Sequence, residues 1–129
     1  MKKPNMRAAR TRKKVLVIDD NSGILFAMQQ ALELKDYDVH VSETFAGTDA
    51  VYTISPDLIY LDISLVGQDG RAVTKELKRD ERTKNIPVII LTAYPNADEL
   101  SKEAGADDFL PKPFELKHLW DMTAKYASL

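Results

Sequence analysis

The feature that most constrains the fold is a short apolar run that ends in a carboxylate. Residues 57–62 have the sequence Asp-Leu-Ile-Tyr-Leu-Asp, with Pro56 before them and Gly67 and Gly70 after them. Runs of this length between turn residues are typical of a strand buried on both faces of a parallel sheet. We therefore expect Asp62 at the carboxyl end of a strand, where open α/β sheets bind their ligands.

Three further apolar runs also end in polar groups. They are residues 15–18 before Asp19 and Asp20, residues 88–91 before Thr92, and residues 108–110 shortly before Lys112. The carboxyl ends of parallel strands lie at one edge of a sheet. Three carboxylates, a hydroxyl and an ammonium group are therefore predicted to converge there.

Helical patterns separate these runs along the whole chain. Strands are predicted at residues 14–18, 37–41, 58–61, 86–91 and 107–110, and helices at 22–35, 45–54, 71–78, 96–104 and 115–127. The fourth helix begins at a capping box over residues 96–99 and ends at Gly105. Alternating strands and helices predict a parallel sheet with right-handed crossovers and helices on both faces. The periodicity alone leaves the strand order open.

Composition limits the classes of protein to which the chain can belong. Its 129 residues suffice for one domain with a substantial core. The absence of cysteine excludes disulfides and thiolate metal sites. No apolar run approaches the roughly 20 residues of a membrane helix. We expect a cytoplasmic protein without a membrane span.

The net charge of −2 conceals a basic amino terminus. Seven of the 18 Lys and Arg residues, and no acid, lie in residues 1–14, so 11 basic residues face 20 acidic ones in the rest. We predict a disordered basic arm at residues 1–13 and one domain at residues 14–129. Direct binding of nucleic acid by the domain body is not expected. Anionic lipid, nucleic acid and the acidic body itself remain open as partners of the arm.

The predicted polar cluster suits phosphoryl transfer. Converging carboxylates repel one another, and Mg²⁺, which prefers oxygen ligands, relieves that repulsion. Lys112 and Thr92 offer an ammonium and a hydroxyl group to phosphate oxygens. The sequence contains neither the Gly-x-x-x-x-Gly-Lys-Ser/Thr motif of a P-loop nor a Gly-x-Gly-x-x-Gly motif after the first strand. These absences argue against a nucleotide-binding enzyme.

Together these motifs resemble the receiver domain of response regulators, of the CheY type. The matching elements are Val-Leu-Val-Ile-Asp19-Asp20, Asp62 followed by Asp69-Gly70, Ile-Pro-Val-Ile-Ile-Leu-Thr92-Ala93, and Gly105-Ala-Asp-Asp-Phe109-Leu-Pro-Lys112-Pro113-Phe114. They stand in the family's order and span about residues 14–127. The resemblance implies a doubly wound, flavodoxin-like sheet of five parallel strands in the order 2-1-3-4-5.

The resemblance also implies a role for each site residue. Asp62 would be the phosphoacceptor, with Thr92 and Lys112 binding the phosphoryl group. Asp20, Asp62 and the backbone carbonyl of Ser64 would bind Mg²⁺, and Asp19 would act through a bound water. Phe109 would be a switch aromatic that responds to Thr92, and the Lys112–Pro113 peptide bond is expected to be cis.

Several residues depart from the family pattern or stand outside it. Val66 occupies a position that is usually proline, so we expect a looser loop before Gly70. Ser64 and Tyr94 occupy positions that influence hydrolysis of the phosphoaspartate in the family. On the last helix, a stripe of four residues is predicted to face the sheet: Leu116, Leu119, Thr123 and Tyr126. Trp120 lies off that stripe and could mark a docking or dimer surface.

The function expected from the resemblance is that of a stand-alone response regulator. It would accept a phosphoryl group from a histidine kinase or a phosphotransfer protein and change its binding to a downstream protein. The face formed by helix 4, strand 5 and helix 5 is the expected surface for that target. The protein would catalyse only its own phosphorylation and dephosphorylation. The alternative is a receiver-fold interaction module that does not use phosphate.

Overall fold

A computed structural model describes residues 12–127 of the chain, so most of the predicted basic arm lies outside it. The elements in chain order are β1 (Lys14–Ile18), α1 (Ser22–Glu33), β2 (Asp38–Ser42), α2 (Thr48–Ile54), β3 (Leu58–Asp62), β4 (Ser64–Leu65), β5 (Gln68–Asp69), α3 (Gly70–Arg79), β6 (Val88–Thr92), α4 (Ala97–Ala104), β7 (Asp108–Pro111) and α5 (Leu116–Ala127). Within residues 12–127, none of these helices has the length and apolar character needed to cross a membrane.

Five strands form one parallel sheet in the order β2-β1-β3-β6-β7. Counted as main strands, this is the predicted order 2-1-3-4-5, and the predicted fold class is confirmed. The short strands β4 and β5 form a separate antiparallel hairpin between β3 and α3. The central position of β3 places Asp62, its last residue, in the middle of the carboxyl edge.

Alternate residues of the strands contribute to two hydrophobic layers. Val15 and Val17 of β1 pack with buried residues of α1 and α5, whereas Leu16 and Ile18 pack with buried residues of α2 and α3. All five residues of β3 are buried. The continuous apolar runs in the sequence therefore reflect a sheet covered on both faces, as expected for right-handed crossovers that distribute helices to both sides.

Local signals placed some helix boundaries correctly and others wrongly. The Asn21 side chain caps α1 by accepting a hydrogen bond from the Ile24 N–H at 3.1 Å. Helix α2 begins at Thr48 rather than at Phe45, because Gly47 precedes it with φ +100°, outside helical conformation. Helix α4 does begin at Ala97, but its capping box is absent, since the Asn96 side chain makes no capping hydrogen bond.

The sheet-facing stripe of α5 is shorter than predicted. Leu119 and Thr123 are buried, and the Thr123 hydroxyl lies 2.6 Å from the hydroxyl of Tyr60 on β3. Leu116 is 52% exposed, so the prediction that it faces the sheet is wrong. Leu116 is the first residue of the helix and precedes the residues of the stripe that contact the sheet.

Trp120 packs towards α1 instead of standing free. Its indole N–H donates a hydrogen bond to the Ala31 carbonyl at 2.9 Å, and the Lys35 ammonium lies 4.5 Å from the ring centroid. The side chain is half-buried against the layer that contains α1 and α5. These contacts give Trp120 a role within the fold, and its role in a docking or dimer surface stays a prediction.

Candidate functional site

Three carboxylates meet at the carboxyl edge of the sheet, as the sequence predicted. Asp19 and Asp20 follow β1, Asp62 ends β3, and each offers an oxygen within 4.8 Å of the others. Asp19 is fully buried, Asp62 is 5% exposed and Asp20 is half-buried. They line a cleft of about 340 Å³ together with Lys112 and the loops that follow β3 and β6. The cleft leaves space for a small ligand above partly desolvated acids.

Lys112 supplies the positive charge of this cluster. Its Nζ lies 2.8 Å from Asp19 Oδ2 and 3.3 Å from Asp62 Oδ1. The backbone N–H of Lys112 donates to the Thr92 carbonyl at 2.8 Å, which positions the residue just beyond β7 beside β6. The Lys112–Pro113 bond is cis, as predicted.

Burial and neighbouring charges raise the pKa values of both Asp62 and Lys112. Desolvation, followed by repulsion from Asp19, raises the pKa of Asp62 despite the opposing effect of Lys112 and the Ser64 N–H. Burial tends to lower the pKa of Lys112, but its interactions with Asp19 and Asp62 outweigh burial and raise it. Lys112 therefore stays protonated at neutral pH, while ionised Asp62 carries an electrostatic penalty that a cation can relieve.

Each carboxylate also accepts one hydrogen bond from a backbone N–H. The three pairs are Asn21 N–H to Asp19 Oδ1 at 2.9 Å, Ser64 N–H to Asp62 Oδ1 at 3.3 Å, and Val66 N–H to Asp20 Oδ2 at 3.1 Å. The first two pairs are two residues apart in the chain, whereas the third joins the β1–α1 turn to the β4–β5 hairpin. The loop that was expected to be looser at Val66 is attached to Asp20 by this N–H, and its looseness relative to the family stays a prediction.

Gly70 is required by the close approach of α3 to the end of β3. A Cβ atom at this position would lie 2.5 Å from the Asp62 carbonyl oxygen and 2.6 Å from the Ile63 Cα atom. The Gly70 N–H donates to the Ile63 carbonyl at 2.9 Å. The glycine thus brings the start of α3 against the backbone of Asp62 and Ile63, which any side chain would prevent.

Thr92 and Phe109 do not line the acidic cleft. Thr92 is 1% exposed, and its hydroxyl oxygen accepts a hydrogen bond from the Tyr94 N–H at 3.0 Å. Phe109 is half-buried against the layer that contains α2 and α3. The predicted switch roles of both residues remain predictions, since the Thr92 hydroxyl is directed towards its own loop.

A contact between Ser64 and Tyr94 was not foreseen from the sequence. The Ser64 hydroxyl donates to the Tyr94 hydroxyl oxygen at 3.3 Å. Both residues line the acidic cleft and also a second cleft of about 520 Å³ between the hairpin and the start of α4. Their positions two residues after Asp62 and Thr92 were the available signal, but only the tertiary structure brings the two hydroxyls together.

The family model for the response regulator receiver domain matches residues 15–124. The chain belongs to the response regulator receiver family. This assignment confirms the resemblance inferred from the motifs at the strand ends. It also confirms the coarser functional prediction, that of a receiver domain of two-component response regulators.

Curated relatives of this receiver domain include two transcriptional regulators. The chain is 38% identical over 109 residues to the DNA-binding dual master transcriptional regulator RpaA of Synechocystis sp., a match that covers 82% of the chain and 45% of that protein. It is 39% identical over 110 residues to the phosphate regulon transcriptional regulatory protein PhoB of Pseudomonas aeruginosa, covering 83% and 48%. The match therefore spans less than half the length of these relatives.

Solved structures show the same fold. A response regulator from Chloroflexus aurantiacus superposes with a TM-score of 0.82 at 26% identity, over 92% of this chain and all of that one. The receiver domain of the sensor histidine kinase PA1611 from Pseudomonas aeruginosa, with a magnesium ion coordinated in its active site cleft, superposes with a TM-score of 0.77 at 24% identity, over 92% of this chain and 100% of that one.

Proposed function

We propose that this receiver domain accepts a phosphoryl group on Asp62 in a Mg²⁺-dependent reaction, with a histidine kinase or a phosphotransfer protein as the donor. The observation that carries this proposal is the convergence of Asp19, Asp20 and Asp62 within 4.8 Å, with the Lys112 ammonium 3.3 Å from the Asp62 oxygen. Receiver domains interact with such phosphodonors as a family.

The donor set fits Mg²⁺. Three carboxylate oxygens at the mouth of a cleft are hard ligands of the kind this ion prefers. Burial, followed by repulsion from Asp19, raises the pKa of Asp62, so a bound cation would stabilise its ionised form. We propose that Asp20, Asp62 and the Ser64 carbonyl bind the ion directly and that Asp19 acts through a water. The magnesium ion coordinated in the active site cleft of the PA1611 receiver domain supports Mg²⁺ as the ion.

The residues of the chain can orient the transfer. A carboxylate oxygen of Asp62 attacks the phosphorus atom while the bond to the donor breaks, which forms an acyl phosphate. Lys112 is already protonated beside Asp62 and can bind an oxygen of the transferred group. When bound, Mg²⁺ supplies the charge neutralisation that lets an anionic nucleophile approach an anionic donor.

The same residues suggest how phosphorylation would be transmitted. We propose that Thr92 exchanges its contact with the Tyr94 N–H for one with the phosphoryl group and that Phe109 repacks in response. The face formed by α4, β7 and α5 then presents the change to a downstream protein. No turnover of another substrate is proposed.

Acetyl phosphate with Mg²⁺, followed by intact-mass measurement, tests this proposal directly. Wild-type protein should gain the mass of one phosphoryl group, and the gain should disappear with EDTA or in Asp62→Asn. Labelling that persists in Asp62→Asn would place the acceptor elsewhere. If neither acetyl phosphate nor any histidine kinase labels the wild-type protein, the phosphate-independent interaction module becomes the better interpretation.

A further inference from the structure

The hydrogen bond between Asp20 and Val66 differs from the other contacts of the acidic cluster. Asp19 and Asp62 both pair with Lys112 and accept N–H groups from their own loops. Asp20 has no ion pair within residues 12–127, and the donor recorded for its side chain is the Val66 N–H, 46 residues away. The orientation of this carboxylate therefore depends on the hairpin that follows β3.

We propose that the Val66 N–H positions Asp20 for metal binding, an inference that rests on the proposed Mg²⁺ site. By accepting this N–H at Oδ2, the carboxylate is kept in one rotamer with its second oxygen available to the cation. A partner that orients a metal ligand raises affinity, because the ligand does not have to be ordered at the moment of binding. Val66 is thus a positioning residue that acts through its backbone.

The hairpin that carries this donor is well anchored. Ser64 pairs with Asp69 and Leu65 pairs with Gln68, while the Leu65 side chain is buried beneath the loop. Gly67 has φ +75°, which completes the tight turn after Val66 and suits glycine. The N–H therefore projects from an ordered turn, so it can restrain Asp20 rather than follow it.

The identity of residue 66 makes the contact possible in this chain. Proline at this position would have no N–H and could not make this bond. The Val66 side chain is 81% exposed, so little packing depends on it. Substitutions at this position can therefore test the effect of the backbone N–H independently of the effect of the side chain.

The test compares Mg²⁺ binding in Val66→Pro, which lacks the N–H, and Val66→Ala, which keeps it. Titration by isothermal calorimetry and by amide NMR should show wild-type affinity for Val66→Ala. Affinity should fall on the order of 10-fold for Val66→Pro. The increase in melting temperature produced by Mg²⁺ should shrink in the same variant, whereas a purely structural contact would lower stability equally with and without the ion.

A second substitution guards against other effects of proline. Semisynthesis can replace Val66 by its α-hydroxy analogue, which keeps the side chain and φ freedom but replaces the N–H by an oxygen. Weaker Mg²⁺ binding by this analogue would support the inference even if Val66→Pro does not fold. Unchanged or tighter Mg²⁺ binding by the analogue would overturn the role of the Val66 N–H but leave the proposed metal site in place. Failure of the wild type to bind Mg²⁺ would overturn both.

Discussion

Aspartates lie at both ends of the parallel strands, that is, at the amino edge and at the carboxyl edge of the sheet, but their surroundings differ. At the amino edge, Asp57 accepts the Lys14 N–H at 2.8 Å, and Asp107 accepts the Val88 N–H at 2.8 Å. Asp107 also pairs with the Lys78 ammonium at 2.7 Å. Each of these acids therefore satisfies the first N–H of a neighbouring strand, and their contacts are those of structural groups.

The carboxyl edge offers the opposite backbone polarity. Parallel strands present carbonyl groups there, so Asp19, Asp20 and Asp62 depend on loop N–H groups. Asp19 and Asp62 also share Lys112 as their cation. Burial then raises the pKa of Asp62 instead of stabilising its charge. The edge of the sheet at which an aspartate lies, rather than the residue type, therefore separates a structural aspartate from a candidate for chemistry.

The largest effect expected from this comparison is loss of phosphorylation in Asp62→Asn. The substitution removes the proposed nucleophile while keeping the shape, so Mg²⁺-dependent labelling by acetyl phosphate should be abolished in intact-mass spectra. The matched change at the amino edge, Asp57→Asn, should label like the wild type. Equal loss in both variants would mean that the two edges do not differ as inferred.

Lys112→Met tests the shared cation. Loss of a donor aimed at the transferring group should slow labelling on the order of 100-fold. The buried Asp19 also loses its ion pair, so we expect a free energy of unfolding lower by about 3 kcal/mol without Mg²⁺. Chemical denaturation and time-resolved mass measurement check the two effects. Lys117→Met, which removes an exposed ion pair with Asp121, should change neither one appreciably.

Removal of the metal should distinguish the two edges by stability. At 100 times its dissociation constant, Mg²⁺ should stabilise the wild type by about 2.7 kcal/mol. The gain should be much smaller in Asp62→Asn.

The folded-state pKa of Asp62 lies above its ordinary value of 3.8. The contribution of Asp62 to the free energy of unfolding is therefore present below that pH and is lost as pH rises through the folded pKa. Without Mg²⁺ at neutral pH, Asp62→Asn should thus melt above the wild type.

Asp107→Ala should have a smaller effect, confined to stability. It leaves the N–H of the fully buried Val88 without its acceptor, which should cost about 1–3 kcal/mol by chemical denaturation. Labelling of Asp62 should proceed at the wild-type rate. Asp121→Ala, at an exposed helical pair, should cost under about 0.5 kcal/mol. A labelling defect in folded Asp107→Ala would contradict the structural role assigned to the amino edge.

Local sequence patterns predicted the strands and most helices because burial on both sheet faces produces continuous apolar runs. The local patterns gave wrong predictions where tertiary contacts override local preference. Phe45 continues the pattern of α2, yet it packs in the preceding loop because Gly47 adopts a non-helical conformation. The contacts of Trp120 with the Ala31 carbonyl and Lys35 of the α1 region were not predicted either.

The sequence alone determined that Asp19, Asp20, Asp62 and Lys112 would gather at one edge. Strand direction and the alternation of strands with helices leave few other arrangements. The motifs, through the family they resemble, supplied the strand order.

Only the tertiary structure decided how the gathered groups are oriented. It directed the Thr92 hydroxyl to the Tyr94 N–H and brought the Val66 N–H to Asp20. Side-chain rotamers and contacts between distant loops determine these hydrogen bonds, and no local periodicity encodes them.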